Sequence, residues 1–159
     1  MKKFYSILSV ALAFSMLAFT SCSDDDGDDV NRTEALTSKK WTVTKIEVGS
    51  GDDYEDVTEA MQSYECEKDD YETYGKDFVY THAPGTDDCD GDAAEYKGTW
   101  AFKDGEKILA VTTGGDVDEY TIASISATQL KLKYEDKDNS ITVGDKTYYM
   151  TTITTYTGK

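Results

Sequence analysis

Residues 96–111 constrain the fold of this chain most strongly, because they have the pattern of a β-hairpin. Two apolar runs flank the turn sequence Lys-Asp-Gly-Glu at residues 103–106. An Asp-Gly pair tolerates the positive φ that tight hairpin turns need. In the first run Tyr96, Trp100 and Phe102 fall on one face, and Lys, Thr and Ala alternate with them. The pattern predicts an antiparallel sheet with one solvated face and one aromatic face.

Similar signals recur along the rest of the chain. Residues 56–64 are the one short helical segment predicted, since Val57, Met61 and Tyr64 recur at helical spacing, and one helical turn is expected near residues 33–36. Tight turns between so many short strands predict an all-β fold, a small antiparallel up-and-down β-barrel of about eight strands whose closure leaves no exposed edges. The predicted strands are 40–48 with a bulge before Ile46, 70–74, 77–81, 98–102, 107–111, 118–124, 126–135, 141–143 and 146–156, and a turn is predicted at 136–140.

The start of the chain has the layout of an export signal. A basic Met-Lys-Lys start precedes an apolar run at residues 4–19, and these 16 residues are fewer than the ~20 that a membrane-spanning helix needs. We therefore predict a signal peptide at residues 1–21, an acidic linker at residues 22–35 and one folded domain at residues 36–159.

A lipid anchor is expected at the end of that signal. Residues 19–22, Phe-Thr-Ser-Cys, resemble a bacterial lipobox, which implies that Cys22 is acylated and becomes the first residue of the mature protein. Residues 23–26, Ser-Asp-Asp-Asp, resemble the acidic tag that directs lipoproteins of the Bacteroidetes to the cell surface. A solvated linker explains the same acidic residues. The predicted location is the outer membrane, lipid-anchored and at the cell surface, and the periplasmic leaflet is the alternative.

Net charge limits the partners of the chain. The formal charge is −16, and loss of Lys2 and Lys3 with the signal would leave 14 Lys and Arg against 32 Asp and Glu. Such a surface repels phosphate backbones and anionic head groups. We therefore expect no nucleic-acid partner, and we expect membrane attachment through the lipid on Cys22 alone.

Two cysteines, Cys66 and Cys89, remain once Cys22 is acylated. Export places them in an oxidising compartment, where a disulfide is the default. Closing this loop of 24 residues would stabilise the fold by about 3 kcal/mol. Two thiolates with His82 would form an incomplete structural zinc site, so no metal is predicted there.

The sequence also lacks the usual catalytic arrangements. It has a single histidine, His82, which is expected in a surface loop, and it has no Gly-x-Ser-x-Gly motif. The acids are too numerous to single out a catalytic pair. The acidic run at residues 87–92 fails the EF-hand pattern because Lys97 takes its last ligand position, although a looser calcium site stays open. We predict neither an enzyme nor a cofactor.

The order of motifs within the domain carries a family resemblance. An opening Leu-to-Trp segment occupies residues 36–41, a Cys-x-Lys-Asp-Asp element occupies residues 66–70, and a Gly-Thr-Trp strand begins at Gly98. The remaining matches are Phe78, Cys89 and the Leu-Lys-Leu run at residues 130–132. Together they resemble the lipocalin-like lipoproteins of the Bacteroidetes. The resemblance implies a small lipocalin-type barrel and no settled ligand.

Large side chains on the predicted inner faces are the candidate ligand contacts. As core residues they would contribute about 1.5–3 kcal/mol each by burial, and as the lining of an open barrel they would contact an apolar ligand. Both interpretations stay open, and packing is favoured because the domain is small. The candidates are Trp41, Phe78, Tyr96, Trp100, Phe102, Tyr120, Leu132 and Tyr134.

Two functions follow from these features. The first is a surface-anchored lipoprotein that binds a small apolar or amphipathic molecule in the barrel. The alternative is a non-catalytic accessory lipoprotein that contacts a surface protein or glycan. In the second case Tyr54, Tyr71 and Tyr74 are the expected exposed aromatics for stacking on sugars.

Overall fold

A computed structural model describes residues 31–62, 64–86, 94–143 and 145–159. The predicted signal peptide, the acylation site Cys22, the cysteine Cys89 and the acidic run at residues 87–92 lie outside these residues. In the described part of the chain, no helix has the length and apolar character needed to cross a membrane.

Strands dominate the described residues. The helices are α1 (Arg32–Thr37) and α2 (Thr58–Met61), and a 3-10 turn spans Glu65–Glu67. The strands are β1 (Lys40–Ser50), β2 (Asp53–Asp56), β3 (Tyr71–Tyr74), β4 (Val79–Ala83), β5 (Tyr96–Lys103), β6 (Ile108–Thr113), β7 (Asp116–Ile125), β8 (Gln129–Val143) and β9 (Lys146–Gly158).

The strands form a closed antiparallel barrel, as the hairpin pattern predicts. Strands β3 to β8 each pair with the next strand in the chain, β3 pairs with β1, and β1 also pairs with β9 to close the ring of eight. Strand β2 pairs with β1 from Glu47 to Ser50 and lies beside the ring. Every barrel strand therefore has two partners within the ring, although β1 pairs with β3 only at Lys40 and Trp41.

The central hairpin forms where the sequence predicts it. Trp100 on β5 faces Val111 on β6, and the turn residues Asp104, Gly105 and Glu106 have φ values of 48°, 60° and 66°. Trp100 is only 3% exposed, and its indole nitrogen donates a hydrogen bond to the Gly75 carbonyl at 2.9 Å. The aromatic face of this hairpin therefore points into the barrel.

Helix α1 closes one end of the barrel. The Asn31 side chain caps it by accepting a hydrogen bond from the Glu34 amide at 2.9 Å. Leu36 is fully buried, and its carbonyl accepts a hydrogen bond from the Trp41 indole at 2.9 Å. The Arg32 guanidinium donates to the Glu106 carbonyl in the β5–β6 turn at 2.6 Å. The helix begins ahead of the predicted domain start at Leu36. It packs against the strands at the end of the barrel that it closes.

The predicted helix at residues 56–64 is too long, and its first residue belongs to a strand instead. Residues 53–56 pair with β1 as strand β2, and the Asp56 carboxylate accepts hydrogen bonds from the Thr58 amide and hydroxyl at 3.0 and 2.6 Å. These bonds form an Asx turn just before the helix, which starts at Thr58. It ends at Met61, which is 62% exposed, so its apolar side chains do not form a buried face.

The strand register corrects one further prediction and confirms another. Residues 136–140 do not reverse the chain, because β8 runs through them with a register shift between Asp136 and Ser140. The Asp136 carboxylate accepts hydrogen bonds from the Asp138 and Asn139 amides at 3.0 and 3.3 Å, which stabilises a bulge rather than a turn. The bulge predicted in β1 is confirmed by a register shift between Val43 and Lys45.

The predicted orientation of the side chain is also wrong at two aromatic positions, Phe78 and Tyr74. Phe78 lies in the β3–β4 turn with φ 64° and is 58% exposed, so it does not share an inner face with Tyr80. Tyr74 is 1% exposed and belongs to the core, so it is not available to stack on a surface sugar. Tyr54 and Tyr71 are half-buried.

Candidate functional site

The candidate site lies where β1 leaves β3. Strand β1 pairs with β3 at Lys40 and Trp41 and with β2 from Glu47 onward. Between these pairings the Ile46 amide donates to the Thr58 hydroxyl at 2.8 Å, and the Ile46 carbonyl accepts from the Val57 amide at 2.9 Å. Helix α2 therefore covers the part of the barrel wall where the two strands diverge.

A pocket of about 280 Å³ lies at the place where β1 and β3 diverge. Its apolar lining is Trp41, Val43, Ile46 and Met61, and its polar lining is Gln62, Glu67, Asp70, Tyr71, Glu72 and His82. The apolar side chains come from β1 and α2, whereas Asp70, Glu72 and His82 come from the β3–β4 hairpin and the residue before it. The pocket thus has one apolar side and one polar side.

Strand register explains why a carboxylate lies at this pocket. Glu72 faces Trp41 on one side and His82 on the other, and His82 faces Tyr96 on β5. Since side chains alternate along a strand, Glu72 shares the inner face with the buried Tyr74. The register therefore places one acid on the inside of the barrel.

Tyrosine hydroxyls hold the Glu72 carboxylate in place. Tyr74 donates to one oxygen at 2.7 Å and Tyr156 donates to the other at 3.4 Å. Burial raises the pKa of Glu72, while hydrogen bonding from Tyr74 and the nearby His82 favour the charged form. Burial also raises the pKa of Tyr74 and of Tyr156 well above the usual value, so both hydroxyls stay protonated donors. The result is a half-buried carboxylate with a fixed orientation.

His82 occupies the rim of the pocket. Its Nε2 atom lies 3.5 Å from an Asp70 carboxylate oxygen, and its ring stacks on Tyr96 with centroids 4.8 Å apart and 18° between the planes. The prediction of a surface loop is wrong here, because His82 pairs with residues on both sides of β4 and is half-buried. The alternation of Tyr80, Thr81 and His82 is the sequence signal that would have placed it on the inner face.

A comparison with protein families identifies the barrel. The family model described as "Lipocalin-like domain" matches residues 37–132, more than half of the chain. The chain belongs to the lipocalin-like domain family. A search of curated proteins and a search of solved structures each found no match. The matched segment of the lipocalin-like domain contains all the described residues that line the pocket, and barrels of this kind bind small ligands in general.

The predicted ligand contacts of this lipocalin-like protein differ in burial and in whether they line the pocket. Trp41 lines the pocket. Trp100 and Leu132 are buried in the core, and Phe102 and Tyr120 are half-buried against it. The most exposed candidates are Phe78, Tyr96 at 48% and Tyr134 at 37%. A ligand role for each of these residues stays a prediction.

Sequence reasoning missed most of the polar side of the pocket. Asp70, Glu72 and Glu67 are not distinguishable among 32 acids, and Ile46 and Met61 lie on β1 and on α2, which packs against β1. The one local signal was an acid in alternation with tyrosine, at Glu72 and Tyr74. A charge at an inward position of a strand is unusual enough to mark a site.

The described cysteine and metal chemistry adds little to the pocket. Cys66 is disulfide-bonded, and its predicted partner Cys89 lies outside the described residues, so their pairing stays a prediction. Across residues 31–62, 64–86, 94–143 and 145–159, no group of three or more His, Cys, Asp or Glu side chains is placed to hold a metal ion.

Proposed function

We propose that this lipocalin-like protein is an exported lipoprotein that binds a small amphipathic molecule in the pocket beside Glu72. One observation carries the proposal: the pocket combines an apolar side, with Trp41 and Val43, and a polar side, with Glu72 and His82. An amphipathic ligand can place its stem on the first side and its polar group on the second. No catalytic role is proposed.

The pocket volume limits the size of that ligand. At ~30 Å³ for each non-hydrogen atom, the volume that one water molecule takes in the liquid, about 280 Å³ holds roughly ten such atoms. Pockets for small molecules begin at roughly 300 Å³. We therefore expect a compact ligand rather than a long-chain lipid.

Dye binding to two matched variants tests this function. N-phenyl-1-naphthylamine is a neutral apolar fluorophore whose emission rises on leaving water, and its ten-carbon naphthyl group matches the pocket volume while its phenyl ring would remain at the open side. Met61→Lys puts a charge at the pocket, and Val117→Lys puts the same charge on β7, away from the pocket, at a side chain of similar exposure. We expect at least a tenfold loss of dye affinity for Met61→Lys and less than a twofold change for Val117→Lys.

Two results would contradict the binding function. One is a wild-type protein that takes up neither this dye nor, in native mass spectrometry after expression, any small molecule. The other is an equal loss of affinity in both variants, because an effect of added charge alone would then explain the loss without a pocket.

The anchoring part of the proposal is supported by sequence features alone. The lipobox-like residues 19–22 and the acidic residues 23–26 favour acylation at Cys22 and display at the outer-membrane surface, as in lipoproteins of the Bacteroidetes. Attachment is proposed through the lipid only, with no nucleic-acid partner. Labelled palmitate should be incorporated in the wild type and not in Cys22→Ser, and protease added to intact cells should cleave the wild type. Protection from protease would favour the periplasmic leaflet.

One observation favours the alternative of a surface protein or glycan partner. The outer parts of β8 and β9 expose apolar side chains, namely Val143, Tyr148, Tyr149 and Met150. Residues 140–143 and 146–149 pair with each other, beyond the segments of β8 and β9 that pair with β7 and β1. Cross-linking in the native envelope and glycan-array binding, each compared with Tyr149→Ser, would reveal such a partner. A change on Tyr149→Ser with unchanged dye affinity would separate this function from ligand binding.

A further inference from the structure

Negative charge dominates the polar side of the pocket. Three carboxylates line it, those of Glu67, Asp70 and Glu72, and the described lining residues include neither Lys nor Arg. Lys68, one residue beyond Glu67, is bound by Glu65 at 2.8 Å and by Glu59 at 3.4 Å. The neighbouring lysine on the sequence is thus engaged by other acids.

The Glu72 carboxylate is oriented by its neighbours and retains capacity to accept. Tyr74 and Tyr156 each donate one hydrogen bond to it, one to each oxygen, and the Tyr80 hydroxyl also hydrogen-bonds to it. An ionised carboxylate has about four lone-pair sites, so an acceptor site remains for a ligand. The Tyr hydroxyls add donors without adding positive charge. A ligand that supplies several N–H donors and a positive charge suits this carboxylate better than an alcohol or an acid.

The rest of the protein favours the same ligand charge. The formal charge of −16 draws cations toward the surface and repels anions. At the pocket, Val43, Ile46 and Trp41 offer apolar contact for a hydrocarbon stem. The volume of about 280 Å³, enough for roughly ten non-hydrogen atoms, accommodates a head group together with an eight-carbon stem.

We propose that this pocket selects small amphipathic amines in their ammonium form, with Glu72 as the counter-ion and Asp70 as a second carboxylate at the rim. This inference deepens the proposed ligand-binding function and rests on it. It assigns the head group, whereas the proposed function assigns only a small amphipathic ligand.

Three ligands with one stem length test the head group. n-Octylamine, 1-octanol and octanoate each carry an eight-carbon chain and differ in the terminal group, and the amine is protonated at pH 7.5 because alkylamines titrate near the lysine pKa of about 10.4. Their displacement of N-phenyl-1-naphthylamine is measured on the purified protein. We expect n-octylamine to displace the dye at a concentration at least tenfold lower than 1-octanol, and octanoate to be the weakest of the three.

Variants that each remove one negative charge test whether the preference for n-octylamine depends on the pocket carboxylates. Glu72→Gln keeps the shape of the side chain and removes the charge, and we expect it to bring n-octylamine down to the level of 1-octanol. Glu119→Gln removes the same charge from β7, outside the pocket, where Glu119 is paired with Lys103 at 2.6 Å. It is expected to keep the tenfold preference. Asp70→Asn should lower the preference by a smaller factor.

The outcomes separate the inference from the function beneath it. If n-octylamine binds no better than 1-octanol, or if Glu72→Gln and Glu119→Gln lose the preference equally, the amine selectivity is wrong while the binding function stands. If wild-type protein binds neither the dye nor any of the three ligands, the binding function itself fails. Should Glu72→Gln not fold, the wild-type preference and its reduction in Asp70→Asn decide the question.

Discussion

The end of the barrel that α1 closes and the side where β1 leaves β3 are built differently, although Trp41 contributes to both. At the end closed by α1, Leu36 and Trp41 are fully buried and Trp100 is nearly so. The indole nitrogens of both tryptophans donate to backbone carbonyls at 2.9 Å. At the side where β1 leaves β3, Glu72 and His82 are half-buried and face a pocket.

This difference indicates a division of roles within one small fold. Burying a carboxylate destabilises a protein unless hydrogen bonds compensate for the lost water. The aromatic end contributes the burial that stabilises the fold, and the pocket side retains polar groups that a well-packed core would exclude. If this division is correct, substitutions at the two places should affect different properties.

The largest expected effect on the free energy of unfolding is at the end of the barrel closed by α1. Trp100→Ala removes ring contacts with Tyr74, Phe78 and Phe102, whose centroids lie 6.0, 5.4 and 5.3 Å away. We expect the free energy of unfolding to fall by about 3–5 kcal/mol, as for other buried aromatic truncations. Urea denaturation followed by far-ultraviolet circular dichroism measures it.

An exposed tyrosine provides the control for this substitution. Tyr149→Ala, on the outer part of β9, should change the free energy of unfolding by no more than about 0.5 kcal/mol. A loss below about 1 kcal/mol for Trp100→Ala would contradict the view that stability is concentrated at the end closed by α1.

The next largest expected effect is at the pocket side of the barrel and concerns the disulfide of Cys66. Cys66 precedes the pocket residue Glu67, so the predicted bond to Cys89 would fasten the segment that covers the pocket. Reduction should lower the free energy of unfolding by about 3 kcal/mol. Hydrogen exchange should then rise first at residues 64–72 rather than in α1.

Peptide mapping of the unreduced protein checks the pairing behind this prediction. A linked peptide that joins Cys66 to Cys89 is expected. A linkage from Cys66 to any other cysteine would refute the predicted pair, and faster exchange confined to α1 after reduction would refute its proposed place beside the pocket.

The sequence was informative where structure is local. The β5–β6 hairpin depends on the turn residues Asp104 and Gly105 and on alternation within a few positions, so it could be predicted without knowledge of the rest of the chain. The β-bulge after Val43 was visible as a break in alternation. Barrel closure followed because a run of such hairpins has few other ways to cover its edges.

The pocket could not be predicted because it depends on contacts that are distant in sequence. Its two sides meet through the pairing of Trp41 with Glu72 and of Glu72 with His82. Predicting Glu72 from sequence requires the phase of the four-residue strand β3 to be known, and the prediction of an exposed Tyr74 has that phase wrong. Short strands carry too few alternating positions to fix which face is inside.

The smallest expected effect is a pH dependence that distinguishes Glu72 from an ordinary surface acid. Because burial raises the pKa of Glu72 in the folded protein, its contribution to stability is present below the unfolded pKa of about 4.3 and is lost as the pH rises through the folded pKa. Glu72→Gln removes this loss. At pH 8 the variant should therefore unfold with a free energy about 1 kcal/mol above that of the wild type, and the difference should shrink as the pH falls to 5.

Glu119 gives the comparison of opposite sign. The hydrogen bond from Lys103 lowers the pKa of Glu119, so its contribution is present above the unfolded pKa and is lost as the pH falls through the folded pKa. Urea titrations of wild type, Glu72→Gln and Glu119→Gln at pH 5, 6, 7 and 8 should show the variant-minus-wild-type difference rising with pH for Glu72→Gln and not for Glu119→Gln. If Glu72→Gln is instead less stable than the wild type at pH 8, the tyrosine hydrogen bonds to the charged carboxylate outweigh the cost of its burial. The acid would then be part of the stable core, and the contrast between the two parts of the barrel would no longer hold.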